Sequence, residues 1–213
     1  MSRPVEHQFD DAYQQREAAY QGMWIFLATE VLFFGAVIFA YTLYRGLYYR
    51  AFLVGSHHLS VLLGWINTAV LLCSSLCMAL GVHAAQRGNS KRLIVFLVLT
   101  VIIGAVFLGI KGIEYYDHYQ EHLFPGLNFQ YSGDQANHVE LFMIFYFVLT
   151  GMHAVHMLIG LGMLLVLIFL TTRGKFSAEY YGPIDIGGLY WHFVDIVWVF
   201  LFPLLYLVDK AAK

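Results

Sequence analysis

Five stretches of mostly apolar residues alternate with polar segments along the chain, and each stretch is more than 20 residues long. A helix needs about 20 mainly apolar residues to cross a hydrocarbon core of about 30 Å. Strands with open edges would leave backbone groups unpaired in lipid, and the sequence lacks the alternating segments of a membrane barrel. The pattern therefore predicts an all-α membrane protein, a five-helix transmembrane bundle with spans at about residues 23–44, 59–82, 93–113, 139–170 and 186–208.

The polar segments give the rest of the organisation. Residues 1–22 form a polar N-terminal segment without the apolar core of a secretory signal, residues 23–208 form a single transmembrane domain, and residues 209–213 form a short tail. The fourth span is so long that we expect it to tilt or to project beyond the membrane. The longest connection, residues 114–138, contains Pro125 and lacks Lys and Arg, so we expect an ordered but irregular loop outside the hydrocarbon.

Composition and charge agree with this picture. The chain is 60% hydrophobic and 12% charged, whereas soluble domains average about 45–50% apolar and about 25% charged residues. A net charge of −2 argues against a nucleic-acid partner, which would require a basic face. Seven lysines and arginines fall on the side of the N-terminus and five on the opposite side. The positive-inside rule therefore predicts the N-terminus inside and the C-terminus outside.

Several polar residues within the predicted spans carry the candidate chemistry. An ionisable group in a membrane costs about 2.5–3.5 kcal/mol on insertion scales, so each one needs a partner or a function. At a rise of about 1.5 Å per residue, one cluster of Glu30, Asp195 and one or two histidines is geometrically possible. Glu30 is the candidate for a buried, proton-active acid. The other five residues are expected to form an intramembrane polar network: Asn67, His153, His156, His192 and Asp195.

Such a cluster has three interpretations. It can be a packing network that fixes the register of the helices, or a proton-handling site, because a buried carboxylic acid can exchange protons near neutral pH. The third interpretation is a metal or haem site, with His153 or His156 facing His192. Haem–copper centres require more intramembrane histidines than these, and no C-x-x-C-H haem attachment is present. We expect neither a metal site nor a catalytic residue in this chain.

Other polar and sulfur-containing residues predict structure rather than chemistry. Cys73 and Cys77 have the C-x-x-x-C spacing of a dinuclear copper loop but lack its downstream histidine and methionine, so we interpret them as packing residues. Lys111 and Glu114, three residues apart at the outer end of the third span, can form an ion pair. Four arginines near span ends are candidates for lipid headgroup binding, although snorkelling explains them equally well: Arg45, Arg50, Arg87 and Arg92.

Three motifs follow one another along the chain: ATEVLFFG at residues 28–35, TGMHAVHMLIG at residues 150–160 and YWHFVDIVWVF at residues 190–200. In this order and spacing, the chain resembles subunit III of the haem–copper respiratory oxidases in its five-helix bacterial form. The first motif is similar to the segment that holds the family's carbodiimide-reactive buried glutamate, which corresponds to Glu30. The resemblance extends over nearly the whole chain from Gly22 onward.

The resemblance implies an accessory subunit without a cofactor of its own in the bacterial plasma (inner) membrane. Its main contact would be the catalytic subunit I, with subunit II and a small subunit IV as further partners, and haem and copper would reside in those partners. It would bind phospholipid, support proton uptake and sustain turnover. The first two helices of seven-helix relatives are absent here, so the family's lipid cleft would lack one wall.

Alternatives remain open at the level of the sequence. Quinol-oxidising members also have a five-helix subunit III, but their first helix more often lacks the glutamate, so Glu30 favours a cytochrome c oxidase. A subunit III-like protein associated with nitric oxide reductases has the same fold. A free-standing transporter or a b-type haem protein would also explain buried acidic and histidine side chains.

Overall fold

The computed structural model describes residues 11–131, 133 and 135–208 of the chain. Within those residues, helices account for most of the structure, and one short hairpin interrupts them. The elements in chain order are α1 (Ala12–Leu47), α2 (Tyr49–His57), α3 (Val61–Gln86), α4 (Ser90–Gln120), β1 (Leu123–Phe124), β2 (Asn128–Phe129), α5 (Ala136–Thr172) and α6 (Gly182–Tyr206).

In the part of the chain that the structure describes, α1, α3, α4, α5 and α6 are long and apolar enough to cross a membrane. The predicted all-α membrane protein with a five-helix transmembrane bundle is confirmed. The helices extend beyond the predicted spans because polar turns outside the hydrocarbon can remain helical. The side chain of Asp11, for example, accepts a hydrogen bond from the Gln14 amide at 2.6 Å and caps α1, so residues 12–22 are its first turns. Residues 1–10 and 209–213 lie outside the described residues.

The connections between α1 and α3 and between α4 and α5 have more structure than the sequence indicates. Between α1 and α3, the short helix α2 buries Phe52 completely and places Gly55 against the ring of Phe142, where an added Cβ would overlap a ring carbon. The expected loop at residues 114–138 is corrected: α4 continues to Gln120, and β1 and β2 then form an antiparallel hairpin. Glu114 is therefore in a helix rather than in a loop.

Helix α6 is the centre of the bundle and packs against α3, α5 and α1. Trp191 and Trp198, seven residues apart and so on one face of α6, are both fully buried. Their indole N–H groups donate across the interface to the hydroxyl oxygens of Ser74 and Thr68 on α3, each at 3.1 Å. These bonds fix the register of α6 against α3.

Helix α1 lies at the periphery of the bundle. Of the residues in its most apolar segment, only 11% are buried, whereas 61% are buried in the corresponding segment of α6. Its buried seam consists of Leu27, Phe34 and Tyr41, which recur every seven residues and so face one way. The Tyr41 hydroxyl donates to the Leu204 carbonyl of α6 at 2.9 Å. Over residues 23–44 the remaining surface of α1 is mostly apolar and exposed, including Trp24.

Candidate functional site

Glu30 of α1 and His156 of α5 form an ion-pair contact within the helical bundle. The distance from Glu30 Oε2 to His156 Nε2 is 3.0 Å, and the side chains are 18% and 13% exposed. The other ring nitrogen, Nδ1, lies 2.8 Å from the Met152 carbonyl oxygen. A carbonyl oxygen only accepts, so Nδ1 carries a hydrogen and the Glu30–Nε2 contact holds one further proton.

That proton has two possible positions. It lies on Nε2, giving a carboxylate and an imidazolium, or on Glu30, giving two neutral groups. Both arrangements have the same net charge, so the proton can move between the two side chains without placing an unpaired charge in the membrane. The pair is therefore suited to holding and transferring a proton.

The lengths of the helices explain why this pair forms. Glu30 is 18 residues after Ala12, the start of α1, and His156 is 16 residues before Thr172, the end of α5. These separations correspond to about 27 Å and about 24 Å of helix, so the antiparallel helices bring the two side chains to one level. The Phe34 ring lies 5.1 Å from the His156 ring, and the Tyr190 hydroxyl donates to the His156 carbonyl at 3.1 Å.

The other intramembrane residues that the sequence singled out have different partners. His153 Nε2 donates to the Val194 carbonyl at 3.1 Å, and His192 Nδ1 lies 2.7 Å from Ser75 Oγ. The side-chain polar atoms of Asn67 and Asp195 are buried without a hydrogen-bond partner among the described residues. Within that part of the chain, Glu30 and His156 are the two of these residues that bond directly to each other.

A second buried polar cluster surrounds Lys111. Its ammonium group lies 2.9 Å from Glu114 Oε2, 3.0 Å from the Tyr146 hydroxyl and 2.8 Å from the Tyr206 hydroxyl. Both tyrosine hydroxyls donate to Glu114 Oε1, at 2.9 and 2.6 Å. All three ammonium donors are thereby used, as a buried charge requires.

The predicted Lys111–Glu114 ion pair is confirmed, but its location differs from the expectation. Both side chains are buried, at 6% and 3% exposure, rather than lying at a helix end. The spacing of three residues indicates the pair, whereas Tyr146 and Tyr206 belong to distant parts of the sequence, and no local pattern joins them to it.

A sequence model of the family described as cytochrome c oxidase subunit III matches residues 7–210. The chain belongs to the cytochrome c oxidase subunit III family. Membership makes it an accessory subunit of a haem–copper oxidase complex.

Individual members of the subunit III family are similar along most of the chain. The cytochrome c oxidase subunit 3 of Corynebacterium diphtheriae is 32% identical, covering 94% of this chain and 96% of its own length. The subunit of the same name from Thermostichus vulcanus is 30% identical, with 94% and 92% covered. The quinol oxidase subunit 3 of Bacillus spizizenii is 31% identical, with 88% and 85% covered.

The other residues that the sequence singled out in this subunit III, the four candidate lipid-binding arginines and the two cysteines, lie near helix ends or on the surface of the bundle. Arg50, Arg87 and Arg92 are exposed and Arg45 is partly buried. Three of them lie in the first or last turn of a helix, and Arg87 directly follows the last residue of α3. Cys73 and Cys77 are free thiols. Among the described residues, no group of three His, Cys, Asp or Glu side chains is arranged to hold a metal ion.

Proposed function

We propose that the chain is subunit III of a proton-pumping cytochrome c oxidase in a bacterial plasma membrane, where it supports proton uptake by the catalytic subunit without a redox centre of its own. The Glu30–His156 pair is the observation that supports this proposal most strongly. It joins an acid to a base at 3.0 Å inside an apolar bundle, and it remains partly exposed at the side of that bundle. A proton held there is accessible to a neighbouring subunit.

The exposed surface of α1 supports a partner at that position. Trp24, Ile25, Leu32 and Phe33 precede or follow Glu30 on the same helix and are each more than half exposed. A large apolar surface requires lipid or protein against it. In this proposal subunit I is the main contact and carries the haems, subunit II and a small subunit IV complete the assembly, and bound phospholipid fills the gaps near the four arginines.

The electron donor is proposed from the motif around Glu30, which resembles that of the cytochrome c-oxidising members. The similarity to a quinol oxidase subunit, at 31% identity, supports a second candidate, a subunit III that serves a quinol-oxidising enzyme. Isolating the complex distinguishes the two, because a subunit II with a dinuclear copper centre accepts electrons from cytochrome c, whereas a subunit II without it accepts them from quinol.

Purification of the tagged chain from native membranes tests the assembly. We expect a haem–copper subunit to co-purify and a haem absorption band to appear in the complex. Removing the partners should remove that band from the chain. A complex without haem would refute the proposal, and a haem band that stays with the isolated chain would overturn the assignment of no redox centre.

Replacement of the buried acid tests the proton role. In Glu30→Gln the amide cannot exchange a proton with His156, so we expect an assembled complex with slower proton uptake or a shorter active lifetime during turnover. The matched control is Glu17→Gln, an exposed glutamate on the same helix. Equal uptake rates and equal lifetimes in the wild type and Glu30→Gln would leave the pair with a packing role only.

A further inference from the structure

A cavity opens between α1, α3 and α6 near the beginning of α6, with both apolar and polar side chains in its wall. Its volume is about 310 Å³, and its polar lining consists of Tyr20, His83, Gln86, Asp185 and His192. Because one water molecule occupies about 30 Å³ of liquid, the cavity has room for several. The Tyr20 hydroxyl donates to the Asp185 carboxylate and so ties α1 to α6 at this cavity.

A hydrogen bond leads from the cavity into the bundle. The His192 ring lines the cavity, and its Nδ1 lies 2.7 Å from Ser75 Oγ on α3. Asp195 follows His192 by three residues and therefore lies on the same face of α6, where its carboxyl group is close to Ser75. Asp195 is 13 residues after Gly182, the start of α6, which corresponds to about 20 Å of helix.

Asp195 lies at the end of this path, and the burial of its carboxyl group requires an explanation. It is 3% exposed, and although Ser75 is close, neither carboxyl oxygen makes a hydrogen bond of normal geometry among the described residues. A buried polar group without a partner loses its hydration without compensation, which costs about 1–3 kcal/mol. A carboxyl group that receives and releases a proton through a hydroxyl beside it would account for this placement.

Most of the other titratable groups on the neighbouring helices have partners of their own. On α1 and α5, Glu30 and His156 bind each other, and the adjacent His153 of α5 donates to the Val194 carbonyl. Lys111 of α4 is held by Glu114. Cys73 and Cys77 of α3 are free thiols, His83 of α3 lines the cavity, and Tyr190 of α6 donates to a backbone carbonyl. Through Ser75, His192 is the titratable side chain with a path to Asp195.

We propose that the cavity is a water-filled inlet from which His192 and Ser75 relay protons to Asp195, which makes Asp195 a second proton-binding site of this chain. A hydronium ion in the cavity gives a proton to His192 Nε2 and becomes neutral water, and Nδ1 gives its proton to Ser75 Oγ. The original hydroxyl proton of Ser75 then passes to the Asp195 carboxylate. One proton leaves the cavity and one carboxylic acid forms, and the reverse sequence returns it.

This site is separate from the Glu30–His156 pair and goes beyond the proposed function. Its access is through the cavity beside α3 and α6, whereas the pair lies between α1 and α5. If Asp195 does not exchange protons while Glu30→Gln still alters proton uptake, the inference fails and the proposed function stands.

Infrared spectroscopy of the complex in native lipid tests the relay. The probe is the carboxylic acid C=O stretching band of Asp195, assigned by its loss in Asp195→Asn or, should that variant not assemble, by carboxyl-labelled aspartate. We expect the band to follow the pH of the medium and to shift on exchange into D₂O. In Ser75→Ala and His192→Phe, which each remove one relay group, we expect the exchange to slow by tenfold or more.

The neighbouring serine provides a matched control. Ser74 Oγ bonds to the Thr100 carbonyl and accepts from Trp191, with no contact to His192, so Ser74→Ala should exchange at the wild-type rate. An Asp195 band that never exchanges, a carboxyl group that does not respond to pH, or one exchange rate shared by all variants would overturn the inference.

Discussion

The charged pair of Lys111 and Glu114 is the most deeply buried ion pair among the described residues, and its energetics depend on complete hydrogen bonding. Removing a charge from water costs several kcal/mol, which mutual attraction offsets only when the remaining donors and acceptors are also satisfied. Tyr146 and Tyr206 meet that condition by accepting from the ammonium group and donating to the carboxylate. The four side chains therefore act as one unit.

We expect Lys111→Met to destabilise the chain by about 3–5 kcal/mol, because it leaves Glu114 buried without its counter-charge. The double variant Lys111→Met with Glu114→Gln should lose less than the sum of the single variants, with a coupling of about 0.5–3 kcal/mol. Denaturant titration in detergent measures these free energies of unfolding. Lys91→Met, at an exposed lysine, is the control and should change stability by less than about 0.5 kcal/mol. Strictly additive single effects would contradict the coupled unit.

The residues of the candidate site were partly predictable from the sequence. Glu30 and the histidines are recognisable because ionisable groups are rare in apolar spans. Their pairing is not, because it depends on how far each helix extends beyond the hydrocarbon, which hydropathy does not report. Burial of Lys111 was missed for the same reason: the apolar run of the sequence ends near it, whereas α4 continues to Gln120.

At the level of elements, small residues allow other helices to approach the centre of the bundle. The indole of Trp191 lies between Gly104 of α4 and Gly160 of α5, and a Cβ added at these positions would come within 2.8 Å and 3.0 Å of its ring. Because membrane helices gain no hydrophobic energy from meeting each other, such close packing is a main source of their association.

We expect Gly104→Ala to destabilise the bundle by about 1–3 kcal/mol, since the added methyl group would overlap the Trp191 ring. Gly109→Ala on the same helix is the matched control, because nothing lies within 4 Å of its added Cβ. That control should shift stability by no more than about 1 kcal/mol. Thermal unfolding of both variants in one detergent gives the comparison, and equal melting temperatures would refute the packing argument.

The contacts between α3 and α6 lead to a second prediction at this scale. In Thr68→Val the Trp198 N–H loses its acceptor in a fully buried position. We expect a loss of about 1 kcal/mol, within the range measured for hydrogen bonds between membrane helices. Thr42→Val is the control, because Thr42 is exposed and bonds within its own helix. Unchanged stability in Thr68→Val relative to this control would show that the indole bond contributes little.

Helix number and class were predictable at this scale because length and apolarity decide whether a segment crosses a membrane. The short helix α2 and the hairpin were not. Phe52 of α2 is buried by contacts with distant residues such as Phe142, and β1 and β2 have only two residues each. Tertiary packing rather than local pattern determines such elements.

For the whole molecule, the orientation in the membrane is a prediction, and the structure changes the charge count on which it rests. Lys111 is buried within α4, so four of the five positive charges counted on the outer side remain, against seven on the inner side. The excess of Lys and Arg on the predicted inner side is therefore larger, which strengthens the prediction that the N-terminus lies inside.

Cysteine labelling of intact cells checks this orientation in a Cys73→Ser, Cys77→Ser background. We expect an impermeant maleimide to label Leu127→Cys, which lies in the hairpin turn, without permeabilisation. Lys175→Cys, between α5 and α6, should react only after the membrane is opened. The reverse labelling pattern would place the N-terminus outside.

The position of the acid–imidazole pair links its chemistry to the cohesion of the molecule. One member lies on α1, the least buried of the membrane-crossing helices, and the other on α5. Any loosening of α1, whether by delipidation or by loss of a neighbouring subunit, would separate acid from base and strand a charge in lipid. The contact between α1 and α5 thus determines whether the proton donor and acceptor stay together. Detergent extraction that frees α1 should therefore abolish proton exchange before the remaining helices unfold.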